Sequence, residues 1–222
     1  MNNNSLIFYD FIEIGTSDFD CLYLSCDADA VGISIEPIGY YIDKLTPEKK
    51  NVKKIQCAIF AEKHTDKEKI FYIPEEKIQE LKIPTWHKGC NKMGSFHPIH
   101  IKEDLCEHVV SEYCEIKTFS EIIKENDVGK VDFIKIDTEG QDCEIVESIF
   151  EFYEGQKPGS PYQKPNRIQF ETNDHLKKKK VDEVVKKFEK AGYETLYRGW
   201  DTILQIKRDE KRAYYQRTGK NK

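Results

Sequence analysis

No apolar run in this sequence approaches the ~18–20 residues that a bilayer-spanning helix needs. The opening segment MNNNSLIFYDF has no basic stretch ahead of its short apolar run. Membrane insertion and secretion are therefore not expected, and a cytoplasmic location is. Cysteine pairs are missing too. The seven cysteines (Cys21, Cys26, Cys57, Cys90, Cys106, Cys114, Cys143) form no CxxC, and an odd number without a signal peptide does not read as a disulfide framework. Arginine, the residue best suited to bidentate phosphate contacts, occurs five times. That scarcity disfavours nucleic acid as a partner despite an uneven charge. From His175 onward there are 15 Lys+Arg against 7 Asp+Glu, whereas residues 1–174 hold 20 against 33. The basic end reads as a helix with a solvated face followed by a tail.

What is present suffices for a folded core. Hydrophobic residues make up 38% of the 222, with 12 Phe and 12 Tyr. That is enough apolar area to offset chain entropy, so disorder is excluded. The apolar residues fall into short runs: FYDFIEI (8–14), VGISIE (31–36), KKIQCAI (53–59), VDFIKID (131–137), NRIQFET (166–172), ETLYR (194–198) and TILQIK (202–207). Helical periods separate several of them, at 38–45, 118–126, 141–152 and 181–191. Thr118 or Ser120 is placed to cap the second of these helices and Gly192 to end the last. Strands alternating with helices predict an α/β fold with a seven-stranded, mostly parallel sheet and helices on both faces. The last two runs are joined by only GWD, too short for a crossover, so they should form an antiparallel hairpin. Residues 60–117 break the alternation. They read as an inserted lid with strands at 70–73 and 107–116 and a short helix at 75–81, in a single domain over 1–208 with a basic tail at 209–222.

Three constellations carry chemistry. The first run ends in Glu13-Ile14-Gly15-Thr16-Ser17, where a glycine permits a sharp turn and close approach to a ligand. The second ends in Glu36-Pro37, 21 residues after Gly15, where Rossmann-like domains place an acceptor for ribose hydroxyls. In VDFIKIDTEGQD, Lys135, Asp137 and Glu139 alternate along a strand end, and three charges together are costly in a core, so they belong at a ligand-binding rim. The plain structural alternatives are a turn glycine, an acidic helix cap and a Lys–Asp ion pair. His87, Cys90, His97 and His100 cluster, but their spacing matches no standard zinc module, and no metal is expected. Asp27-Ala28-Asp29 could hold Mg²⁺ or Mn²⁺ on a sugar nucleotide, as in a small glycosyltransferase; the plainer reading is that these are ordinary turn residues.

The segments FIEIGTSD, GISIEPI, TFSEIIKENDVGKVDFIKIDTEG and RIQFETN with the helix ending AGY, taken in that order, resemble the FkbM-type methyltransferases, a branch of the class I S-adenosylmethionine-dependent enzymes. The resemblance spans residues 8 to about 198. It implies a Rossmann-like fold, S-adenosyl-L-methionine as cofactor, and methylation of a hydroxyl on a carbohydrate or other small molecule. It further implies that Glu13, Gly15, Thr16 and Ser17 line the methionine end and that Glu36 and Pro37 meet the ribose. Cys57, Ala58 and Ile59 would flank the adenine, and Asp137 would face the methionine amino group or the acceptor. Asp137, Glu139 and His97 are the candidate bases, with Asn91, Ser95 and Lys135 on the acceptor side. Phe19 stands where the family carries a second glycine, which keeps a non-catalytic nucleotide-binding module as a further alternative.

Overall fold

The computed structural model describes residues 6–16, 21–82, 94–95, 103–138, 140–172 and 178–207. The first half of the chain forms β1 (Ile7–Ile14), α1 (Leu22–Ser25), β2 (Gly32–Ile35), α2 (Gly39–Ile42), β3 (Val52–Ile55), β4 (Cys57–Phe60), β5 (Lys67–Tyr72) and α3 (Glu75–Glu80). There follow β6 (Gly94–Ser95), β7 (Val110–Thr118), α4 (Phe119–Glu125), β8 (Val128–Ile136), α5 (Asp142–Glu154), β9 (Arg167–Glu171), α6 (Lys178–Lys190), β10 (Tyr193–Arg198) and β11 (Asp201–Ile206).

Seven of these strands form one sheet in the order β10-β11-β9-β8-β1-β2-β3. All neighbours are parallel except β11, which runs antiparallel between β9 and β10. The fold is therefore Rossmann-like, with the expected C-terminal hairpin. Its central strands alternate between two buried faces. Ile12, Ile14, Ile33, Ile35, Ile134 and Ile136 pack with residues of α4, α5 and α6, including Ile122, Ile149 and Phe188. On the opposite face Phe11 and Val52 pack with Tyr23 of α1 and with Ile42 and Leu45 around α2. Thr118 caps α4 through a full capping box with Glu121, satisfying two backbone donors that the helix start would leave open.

Two expectations about elements are corrected. The run 53–59 is not one strand: β3 ends at Ile55, and Gln56 carries the chain into β4, which joins a second sheet ordered β4-β7-β5-β6. Two short apolar runs flanking one polar residue cannot be told from a single strand by pattern alone. The helix expected at 38–45 is a single turn, Gly39–Ile42, with Ile38 before it. The second sheet rests on that turn: Ala58, Ile70, Tyr72, Cys114 and Ile116 pack against Ile38 and Tyr41. Glu112 on β7 ties the two together by accepting from the Gly39 N–H and the Gln56 side chain.

Candidate active site

Strand order reverses at β1, since the chain builds outward to β2 and β3 on one side and to β8 and β9 on the other. Open α/β sheets bind ligands at such a switch point, off the carboxyl ends of the strands. Here the ends of β1, β2 and β8 are drawn together by a few hydrogen bonds. The N–H groups of Gly15 and Thr16 both donate to the Ile35 carbonyl, at 2.9 and 3.1 Å, and the Thr16 hydroxyl donates to it at 3.2 Å. The Asp137 N–H donates to the Ile14 carbonyl at 2.9 Å. Gly15 turns the chain at φ +80°, and a Cβ built there would lie 1.9 Å from the Asp137 carbonyl oxygen. Only glycine fits this backbone without strain, so Gly15 sets how closely the first turn sits against Asp137.

Glu36 follows β2 and is buried; its Oε1 accepts from the Ile38 N–H at 3.0 Å. Glu13 lies one step further in and is fully buried. Its carboxylate accepts from the N–H groups of Leu22, at 2.9 and 3.0 Å, and Tyr23, at 3.4 Å, which open α1. Lys135, its register partner on β8, stands 3.5 Å away. Burial dominates over these favourable contacts and pushes the Glu13 carboxyl up to about 7, with the Leu22 N–H and Lys135 pulling the other way. Glu13 thereby binds the start of α1 to the middle of the sheet.

The model of the methyltransferase FkbM domain matches residues 12–195, most of the chain. The protein belongs to the FkbM methyltransferase family. No curated protein and no solved structure shows a significant match.

In this FkbM domain the structure brings Glu13, Gly15, Thr16, Glu36, Lys135 and Asp137 to neighbouring strand ends. Pro37, partly exposed, follows Glu36. Cys57, Ala58 and Ile59 belong to β4, where Cys57 and Ile59 face the main core and Ala58 faces the inserted sheet's cluster. Their side chains serve packing on both sides, and burial pushes the Cys57 thiol up to about 12. Ser17, Phe19, Asn91, His97 and Glu139 lie outside the described residues, as do His87, Cys90 and His100. Ser95 pairs with Phe71 in the second sheet. No group of three or more His, Cys, Asp or Glu that could hold a metal ion occurs among the described residues. Asp27 and Asp29 sit in an exposed turn just before β2, at the amino edge of the sheet, remote from Glu36.

One residue escaped the sequence reading. Asp142, in the first turn of α5, is fully buried, and its carboxylate accepts from the Thr138 hydroxyl at 2.8 Å and the Gly140 N–H at 3.3 Å. It also accepts from the N–H groups of Thr138 and Glu171, each at 3.4 Å. Burial raises its carboxyl above the usual range, with the Thr138 hydroxyl as the leading opposing influence. Asp142 thus fixes the turn between β8 and α5 and joins it to the end of β9. The available signal was a third acidic residue in DTEGQD at a helix start, where backbone donors collect.

Proposed function

We propose that this FkbM-family protein transfers a methyl group from S-adenosyl-L-methionine to a hydroxyl of a carbohydrate or other small molecule in the cytoplasm. The observation that carries the reading is the seat of Gly15 against the Asp137 carbonyl, which sets a bare backbone turn beside acidic strand ends at the switch point. These residues fit the cofactor. Gly15 turns the chain as bare backbone packed on the end of β8, and the nearby ionisable side chains are chiefly carboxylates, suited to a cationic sulfonium and to ribose hydroxyls. The bound cofactor supplies an electrophilic methyl group.

The chain's own residues then do three things. The backbone of Gly15 and Thr16 allows close approach at the methionine end. Glu36, held by the Ile38 N–H, accepts from ribose hydroxyls. Asp137 orients the acceptor hydroxyl and takes its proton as the oxygen attacks. Positioning is the larger contribution, since aligning two reactants can remove ~7–11 kcal/mol of barrier. Glu13 and Asp142 act through others, as positioning residues for the start of α1 and for Thr138 at the end of β8.

The glycosyltransferase alternative needs Asp27 and Asp29 beside the cofactor ends of the strands, and they lie at the other edge. Methyl transfer is tested by incubating the protein with S-adenosylmethionine carrying a tritiated methyl group and a panel of hydroxylated acceptors. Label should move to an acceptor, and Asp137→Asn should lower turnover far more than cofactor affinity. Wild-type turnover in Asp137→Asn would remove Asp137 from the chemistry.

A further inference from the structure

The hairpin between β10 and β11 ends the sheet at the same carboxyl edge as the site, because β10 runs parallel to β9 and β8. Three large apolar side chains crowd its tip in the open: Leu196 is 49% exposed, Tyr197 52% and Trp200 77%. Single exposed hydrophobics are ordinary, whereas several within five residues on one rim mark a contact surface. The tip is held firmly. The Thr172 N–H, just past β9, donates to the Trp200 carbonyl at 2.7 Å, and the Thr172 hydroxyl donates to the Gly199 carbonyl at 3.1 Å. At Gly199 a Cβ would fall 2.3 Å from the Tyr197 hydroxyl oxygen, so the Tyr197 ring lies against the turn itself.

The strands behind this tip differ from the centre of the sheet. Their α5–α6 face is sealed by Ile168, Phe170, Thr202 and Leu204, all fully buried. Their other face carries Gln169, Glu171, Asp201 and Ile203, none of them fully buried, and the Gln169 amide donates to the Asp201 carboxylate at 2.7 Å. Phe170 pairs with Ile136 and Asp201 with Glu171, so Glu171 on β9 lies about one strand spacing, ~5 Å, and Asp201 on β11 about two, ~10 Å, from the end of β8 at Asp137.

We infer that this rim is the acceptor subsite and that it takes a neutral sugar ring, with Trp200 and Tyr197 stacking its C–H face and Gln169, Glu171 and Asp201 binding its hydroxyls. This rests on the methyl-transfer reading and deepens it. Aromatic faces beside carboxylates and an amide match a ring that is apolar on its flat and polar at its edge. The carboxylates repel phosphorylated and other anionic acceptors. The family match covers residues 12–195 and stops short of the tip.

Saturation-transfer NMR with a panel of methyl glycosides, in the presence of S-adenosylhomocysteine, tests it, with calorimetry of S-adenosylhomocysteine run alongside. At least one glycoside should bind, with transfer concentrated on its ring C–H protons. Trp200→Ala, at an exposed position that leaves the core intact, should weaken that binding about tenfold, as should Asp201→Asn, with S-adenosylhomocysteine affinity unchanged. Binding of the cofactor product with no glycoside bound, or glycoside binding indifferent to both substitutions, would overturn the subsite. So would a preference for cationic amines over sugars. Glycoside binding that Trp200→Ala removes, in a protein that ignores S-adenosylhomocysteine, would support the sugar site while striking the methyl-transfer reading.

Discussion

Replacing Gly15 with alanine probes the tightest contact in the site. The added Cβ would stand 1.9 Å from the Asp137 carbonyl oxygen and 2.7 Å from its carbon, where ordinary contact begins at 3.4 Å. The β1 turn and the end of β8 must therefore part by roughly 1.5 Å, against the Asp137 N–H to Ile14 carbonyl bond that joins them. Holding alanine in the left-handed region costs ~1–2 kcal/mol. Forcing a methyl into a filled space costs a further ~1–3 kcal/mol. The expected loss of ~2–5 kcal/mol is a large share of the ~5–15 kcal/mol by which domains are stable. Urea unfolding followed by circular dichroism should show a clearly lower midpoint, and calorimetry in buffer, where the variant is still folded, should show much weaker S-adenosylhomocysteine binding. A Gly15→Ala protein with the wild-type midpoint and affinity would refute both the close approach and its role in the site.

Further outcomes follow from the buried carboxylates and the helix caps. Because the folded-state pKa of Glu13 is raised from 4.5 to about 7, the native state holds a proton that the unfolded chain has released between those values. Its contribution to stability is fully present below pH 4.5 and lost as pH rises toward 7, by up to ~3 kcal/mol. Stability profiles of wild type and Glu13→Gln should therefore diverge across pH 4.5–7, and parallel profiles would contradict the assigned burial. Asp142→Asn places amide hydrogens among four N–H and O–H donors, so it should lose ~1–3 kcal/mol of stability and slow methyl transfer. Unaltered turnover would show that the Thr138–Gly140 turn does not matter to the chemistry. Thr118→Ala removes the capping box of α4 and should lower stability by ~0.5–2 kcal/mol, leaving S-adenosylhomocysteine affinity little changed.

Much of the fold was legible because burial writes itself into the sequence. The continuous apolar runs of β1, β8 and β9, the short GWD link of the hairpin, Thr118 with Glu121, and Gly192 after α6 all appear in place. What was hidden depends on which strand meets which. The change of sheet at Gln56 is set by β7, more than fifty residues away, through Glu112. The strand expected at 70–73 begins at Lys67, because Lys67-Glu68-Lys69 carries no apolar signal and its strand state comes from pairing with Glu115, Cys114 and Tyr113. In the site, Gly15, Glu36 and Asp137 were legible as punctuation at strand ends. That Glu13 serves the start of α1, and that Asp142 holds a turn, follows from register and burial, which no local pattern encodes.

The central claim, that the ends of β1, β2 and β8 hold S-adenosylmethionine, is met most directly by titrating the wild-type protein and Glu36→Ala with S-adenosylhomocysteine in a calorimeter. We predict one-to-one binding to wild type and a loss of ~1.5–3 kcal/mol in Glu36→Ala, the worth of a charge-assisted hydrogen bond. No heat from the wild type at sub-millimolar ligand, or equal affinity in Glu36→Ala, would contradict it.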